Sequence, residues 1–151
     1  MKNKILIVDD EKLMRVSLED KLTKEGYAVN SLSNAVEGIK LLQSTNFDAV
    51  ITDLRLPRMD GIDFLREIKK AFPDTVVIIM TAYGSIENAV TAMKEGAYDY
   101  VTKPFPLEEL TIKLQKALKH KDTIAENIML KQRVLSQYGY DNMIGKSEGM
   151  K

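Results

Sequence analysis

The chain has 151 residues, 44% of them hydrophobic, enough for one domain of ordinary size plus an appendage. Its 22 basic residues balance 22 acidic ones, so the overall charge carries no footprint for nucleic acid. With no cysteine and a single histidine, His120, disulfides, thiolate metal sites, a zinc cluster and a Ser-His arrangement are excluded, and no apolar run reaches a secretory core or the ~20 residues of a membrane span, which points to a soluble, cytosolic protein.

Short apolar runs alternate with helical patterns. Ile5 to Val8 reads as a strand buried on both faces. Glu11 to Glu25 follows as a helix with Leu13, Val16 and Leu22 near helical spacing and Gly26 as its stop. Tyr27 to Ser31 is a weaker second strand, and Ala35, Ile39 and Leu42 mark a second helix. Ala49 to Asp53 is the third strand. Pro57 and Asp60-Gly61 punctuate a loop before a third helix lined by Ile62, Leu65, Ile68 and Phe72. Thr75 to Met80 is a strongly apolar fourth strand. Ser85 is a candidate cap for a helix carrying Ile86, Ala89, Val90 and Met93, which Gly96 ends. Tyr98 to Val101 is a short fifth strand, and Pro104 and Pro106 precede a long helical pattern from about Leu107. Strands separated by helices predict a doubly wound α/β fold, a parallel sheet with helices on both faces joined by right-handed crossovers.

The last helix continues as an apolar stripe at steps of three and four: Leu107, Leu110, Leu114 and Ala117, then Ile124, Ile128 and Leu135. Lys121 and Lys131 interrupt it. A helix covering the sheet explains the stripe up to Leu118. Ile124 and Ile128 lie beyond the reach of a five-stranded domain, since a helix from Leu107 to Leu135 would be roughly 40 Å long. The stripe is therefore read as a homodimer seam, because unpaired it would expose apolar surface.

Five residues fall at expected strand ends: Asp9, Asp10, Asp53, Thr81 and Lys103. In an open α/β sheet those ends share one crevice. Three crowded carboxylates call for a cation, and Mg2+ suits all-oxygen ligands that leave room for water and phosphate. Asp9 and Asp10 would hold the metal with Asp53, and the backbone carbonyl of Arg55 completes the protein ligands. Lys103 supplies positive charge for a phosphoryl oxygen, Thr81 a hydroxyl, and Asp53, ending the central strand, is the candidate nucleophile for phosphoryl transfer. Taken singly these features are ordinary: Asp10 could cap the helix that follows it, and Lys103-Pro104 could be a plain turn. Their coincidence at four strand ends carries the reading.

The combination resembles the receiver domain of bacterial two-component response regulators. The matching residues are Val8-Asp9-Asp10-Glu11, Thr52-Asp53-Leu54, Pro57 to Gly61, Met80-Thr81-Ala82, Gly96-Ala97 and Lys103-Pro104-Phe105. The resemblance spans Lys4 to about Leu118. It implies a flavodoxin-like sheet of order 2-1-3-4-5 and phosphoryl transfer to Asp53 from the phosphohistidine of a sensor histidine kinase. It implies Mg2+ on Asp9, Asp10, Asp53 and the Arg55 carbonyl, with Thr81 and Lys103 on the phosphate. It further implies Thr81 and Tyr100 as a switch pair and a cis bond at Pro104. Thr81 to Ser85, Ala89-Val90 and Gly96 to Tyr100 look most like NtrC-like regulators, which activate transcription with sigma-54 RNA polymerase through an AAA+ ATPase and a DNA-binding helix-turn-helix. On that reading residues 1–120 are the receiver, 121–140 a dimerising helical linker, and 141–151 the approach to an ATPase absent from this chain. DNA and polymerase binding would then belong to a longer parent. Gly145-Lys146-Ser147 is not a phosphate loop, because the spacing G-x-x-x-x-G-K-S puts Tyr140 where its first glycine belongs.

Three other readings compete. A phosphohydrolase would use Asp53 as nucleophile, but Arg55 stands where its acid would be. A nucleotide- or flavin-binding module would want a Gly- or Ser/Thr-rich loop after the first strand, and that loop is acidic. A receiver fold that serves only as a scaffold would not keep all five residues.

Overall fold

A computed structural model describes residues 3–82 and 86–120. Five parallel strands form one sheet: β1 (Lys4–Val8), β2 (Ala28–Leu32), β3 (Ala49–Asp53), β4 (Val76–Ala82) and β5 (Asp99–Lys103). Between them run α1 (Lys12–Lys24), α2 (Ala35–Ser44), α3 (Gly61–Ala71) and α4 (Ile86–Lys94), and α5 covers 107–120 among the described residues. The strand order is β2-β1-β3-β4-β5, the doubly wound, flavodoxin-like arrangement. The order reverses beside β1, so the C-terminal ends of β1 and β3 lie on either side of the crevice. None of the described helices is long and apolar enough to cross a membrane.

The central strands are apolar on both faces because both faces are covered. Ile5, Ile7, Ile51, Ile78 and Met80 pack with Leu18, Leu22, Leu110 and Leu114 on one side. Leu6, Val8, Val50, Val77 and Ile79 pack with Phe64, Leu65 and Ile68 on the other. Local chemistry sets several helix starts: Asn34 caps α2 by accepting from Glu37 N–H at 3.0 Å, and Asp60 caps α3 through Ile62 N–H.

Four expectations need correction. First, β4 runs on to Ala82 and β5 to Lys103, beyond the apolar runs, because the Thr81–Thr102 and Ala82–Lys103 pairs extend the ladder. Backbone pairing, not side-chain polarity, ends a strand. Second, α1 buries Leu18 and Leu22 and leaves Leu13 76% and Val16 55% exposed. The face that meets the sheet is the i, i+4, i+8 row of Met14, Leu18 and Leu22. Third, α4 turns Ala89 and Ala92 inward and leaves Val90 and Met93 outside, while Phe72 is the C-cap of α3 and packs on the same cluster as Ile62, Leu65 and Ile68. Fourth, Leu110, Leu114 and Ala117 are at most 1% exposed in the single chain, and Leu107 packs against the same cluster. Leu110, Leu114 and Ala117 therefore serve the domain's own core and have no face left for a dimer seam, while Leu107 is only partly buried. A 3–4 spacing describes a core-facing helix and a coiled-coil seam equally well.

The chain divides into two units, Met1–Leu118 and Lys119–Lys151. Ile124, Ile128 and Leu135, the proposed linker 121–140 and the segment 141–151 lie outside the described residues.

Gly38 shows how tightly α2 meets the core. A Cβ there would sit 2.8 Å from Phe64 Cζ, and the Phe64 ring is fully buried. Alanine would gain up to about 1 kcal/mol of helix propensity. Forcing the ring aside in a packed core costs about 1–3 kcal/mol. Gly38→Ala is therefore expected to lower stability by about 1 kcal/mol in urea unfolding, with an unchanged m-value.

Candidate functional site

The site forms where four strands stop. Asp9 is the first residue after β1, Asp53 the last of β3, Thr81 the penultimate residue of β4 and Lys103 the last of β5. Right-handed crossovers between parallel strands bring these ends to one edge although they are far apart in sequence.

Asp9 is fully buried, and each of its oxygens is used. Oδ1 accepts from Glu11 N–H at 2.9 Å, Oδ2 accepts from Lys103 Nζ at 2.8 Å, and the backbone carbonyl accepts from the Arg15 guanidinium at 2.7 Å. The cap of α1 is Glu11, with no side-chain hydrogen bond, so Asp10 does not cap that helix. Its carboxylate is exposed, yet it lies with those of Asp9 and Asp53 in a group whose oxygens fall within 4.8 Å of one another.

Asp53 is 9% exposed. Its Oδ1 accepts from Arg55 N–H at 3.2 Å and its Oδ2 from Lys103 Nζ at 3.0 Å. Asp9 and Asp53 thus follow one plan, one oxygen on a nearby backbone N–H and the other on a shared ammonium. Burial alone would lower the pKa of Lys103. The hydrogen bonds to Asp9 and Asp53, with the charges of both carboxylates, outweigh it and hold the value above the ordinary 10.5. A group with a raised folded-state pKa contributes stability fully below its unfolded value and loses it as pH rises through the folded one. The Lys103 contribution is therefore constant through neutral pH and fades only in strong alkali.

Thr81 is 2% exposed, and its hydroxyl donates to the Val101 carbonyl at 3.4 Å, across to β5. Tyr100 lies on β5, half-buried against the apolar cluster that includes Ala92 and Ala97. The Lys103-Pro104 bond is cis. His120 is exposed on α5.

The mouth is shaped by the loop after β3. A Cβ on Gly61 would lie 2.4 Å from Leu54 Cα and 2.6 Å from the Asp53 carbonyl, so only glycine lets the start of α3 close onto the end of β3. Between them Arg58 takes a φ of 71°, and Met59 N–H donates to the Pro57 carbonyl at 2.8 Å. This tight γ-turn is a strained conformation for a residue with a side chain. A depression of 570 Å3 opens there, bordered by Asp10, Arg55, Pro57, Arg58 and Asp60.

The donor set fits a small hard divalent cation. It offers only oxygens and three convergent carboxylates, one exposed enough to admit an ion and its waters. The residues expected from sequence, Asp9, Asp10, Asp53 and Lys103, are brought together. Arg15, Glu11, Asp99 and Lys113 were not anticipated. Arg15 and Glu11 act through backbone contacts to Asp9, and Lys113 reaches Tyr100 from α5. No sequence spacing announces such contacts.

Comparison with known proteins agrees with this geometry. The family described as response regulator receiver domain matches residues 5–115. Regulatory protein AtoC of Escherichia coli (strain K12) is 36% identical over 148 residues, covering 98% of this chain and 32% of that protein. The DNA-binding transcriptional regulator NtrC of Proteus hauseri is 34% identical, covering 99% and 31%. Among solved structures, a response regulator receiver domain protein from Clostridium thermocellum superposes with a TM-score of 0.77 at 38% identity, covering 81% of this chain and 98% of that one. NtrX from Brucella abortus superposes at 0.85 with 32% identity, covering 89% and 30%. The chain spans about a third of the length of the curated relatives it matches.

Proposed function

The chain belongs to the response regulator receiver domain family, and from that premise we propose that Asp53 accepts a phosphoryl group from the phosphohistidine of a sensor histidine kinase and so switches the domain. The observation that carries the proposal is the single ammonium of Lys103 bridging Asp9 and Asp53 at 2.8 and 3.0 Å, beside the third carboxylate of Asp10.

In the transfer, Asp53 Oδ attacks phosphorus, a new O–P bond forms, and the P–N bond to the donor imidazole breaks. The leaving ring nitrogen takes the electron pair. Asp9, Asp10, Asp53 and the Arg55 carbonyl are the residues to hold Mg2+, which when bound supplies positive charge to the transferring group's oxygens. Lys103 already lies against Asp53 and can follow the charge onto a phosphoryl oxygen. Asp9, pinned by Glu11 N–H and Arg15, keeps its carboxylate aimed at the site. The domain is a phosphoacceptor with at most slow self-phosphorylation and self-dephosphorylation. A phosphohydrolase would instead turn over small phosphate esters.

Thr81 then exchanges its Val101 carbonyl for a phosphoryl oxygen, and Tyr100 moves with it. Thr81→Ala is expected to accept phosphate from acetyl phosphate to within about tenfold of the wild-type rate, yet to lose most of the chemical-shift change that phosphorylation produces at Tyr100. A full wild-type response at Tyr100 in this variant would refute the relay.

The similarity to NtrC, a DNA-binding transcriptional regulator, supports a parent that acts on transcription; sigma-54 RNA polymerase and DNA as its partners, and a cytoplasmic location, are part of the same proposal. A homodimer would rest on residues 121–140. The direct test is Mg2+-dependent binding of beryllofluoride, followed by the rise in Tm. Binding that needs both ions supports the phosphoacceptor, and its absence refutes it.

A further inference from the structure

β5 is the edge strand of the sheet, so backbone groups on its outer side find no strand partner. At Tyr100 both are satisfied by side chains. The Tyr100 N–H donates to Asp99 Oδ1 at 2.7 Å, and its carbonyl accepts from Lys113 Nζ at 2.5 Å. The Lys113 ammonium also lies 3.5 Å from Asp99 Oδ1, 3.6 Å from Glu109 Oε2 and 5.5 Å from the centre of the Tyr100 ring. One lysine on α5 therefore engages the backbone, the ring and the neighbouring carboxylate of a single residue.

We infer that Lys113, with Asp99, is a positioning residue that clips Tyr100 to α5 and biases the domain toward its unphosphorylated packing. This rests on the reading of Asp53 as phosphoacceptor. The direction follows from Thr81. Its hydroxyl is bonded to the Val101 carbonyl, and it must leave that bond to reach an oxygen on Asp53. Thr81 pairs with Thr102, and Ile79 with Tyr100, so the shift strains the β4–β5 pair next to the clipped residue. Anything that holds Tyr100 in place opposes the shift, and by linkage it opposes whatever binds at Asp53.

The ammonium faces Asp99 and Glu109, and the Lys113 side chain is only 27% exposed, so its charge and its reach are both used. Lys113→Met keeps the aliphatic stem and removes the ammonium. It is expected to tighten beryllofluoride binding in Mg2+ by roughly three- to tenfold, the scale of one cation–π contact and one charge-assisted hydrogen bond at a partly exposed position. Lys113→Arg should stay within about twofold of wild type, because the guanidinium keeps charge and donor.

The experiment is isothermal titration of the full chain with beryllofluoride in Mg2+, for wild type, Lys113→Met, Lys113→Arg, Tyr100→Ala and the Lys113→Met/Tyr100→Ala double variant. It is paired with NMR of the Tyr100 ring in the ligand-free state. Support is a tighter Lys113→Met, a wild-type-like Lys113→Arg, a clearly smaller effect of Lys113→Met in the Tyr100→Ala background, where the backbone contact remains and the ring does not, and a displaced Tyr100 ring signal in Lys113→Met alone. Unchanged or weaker binding in Lys113→Met overturns the clip. So does an equal effect with the Tyr100 ring absent, which would mean that Lys113 does not act through that ring. Failure of wild type to bind beryllofluoride refutes the phosphoacceptor reading instead, and the ligand-free ring signal still reports whether Lys113 holds Tyr100.

Discussion

Asp53→Asn is expected to abolish phosphoryl uptake from acetyl phosphate, lowering it by at least roughly a hundredfold while the domain stays folded. The amide keeps the shape of the carboxylate and can still accept from Arg55 N–H, but it has no anionic oxygen to attack phosphorus. It also removes one of three crowded negative charges, so the stabilisation conferred by Mg2+ should shrink. Intact-protein mass after incubation with acetyl phosphate and Mg2+ reads the first effect, and Tm with and without Mg2+ reads the second. Wild-type uptake by the amide would move the acceptor elsewhere.

Lys103→Met separates the structural from the chemical role of the bridging ammonium. Without it, Asp9, which is fully buried, and Asp53, which is nearly so, face each other and Asp10 without the ammonium that bonded both. Breaking a buried pair by removing one partner costs about 3–5 kcal/mol. The Lys103 side chain is 21% exposed, so water recovers part of that, and about 1–3 kcal/mol is expected in EDTA. Excess Mg2+ should restore most of it, since the same carboxylates that repel in the variant would bind the ion. The deficit in EDTA should be flat through neutral pH, because the raised Lys103 pKa keeps the wild-type ammonium charged there. Phosphoryl uptake should stay slow even when Mg2+ has restored stability. A variant as stable as wild type in EDTA would mean that the carboxylates are not under electrostatic stress.

Much of this was legible in the chain, for identifiable reasons. β1 and β3 are central strands, buried on both faces, and their apolar runs mark them almost to the residue. β4 and β5 end in Thr81-Ala82 and Thr102-Lys103, where polar residues look like loop although the ladder continues through them. Pairing in the ladder was invisible. The acidic cluster could be inferred because a doubly wound topology forces strand ends together, so sequence-distant residues become neighbours without any knowledge of side-chain geometry.

The helix faces were harder. Leu13 and Val16 satisfy helical spacing as well as Leu18 and Leu22 do, and only the direction of the sheet chooses between the rows. The same degeneracy assigned Leu110, Leu114 and Ala117 to a seam between chains when they fill the core of one. Lys113 and Asp99 illustrate a further limit. Their role comes from an edge strand lying beside α5, a packing relation that no periodicity encodes.

The measurement that bears most directly on the account is chemical trapping of the acyl phosphate. The chain is incubated with acetyl phosphate, reduced with borohydride and mapped by peptide mass. Reduction is expected at Asp53 alone, dependent on Mg2+ and absent in EDTA. Modification at Asp9 or Asp10, or equal modification at Asp53 without the ion, would contradict it.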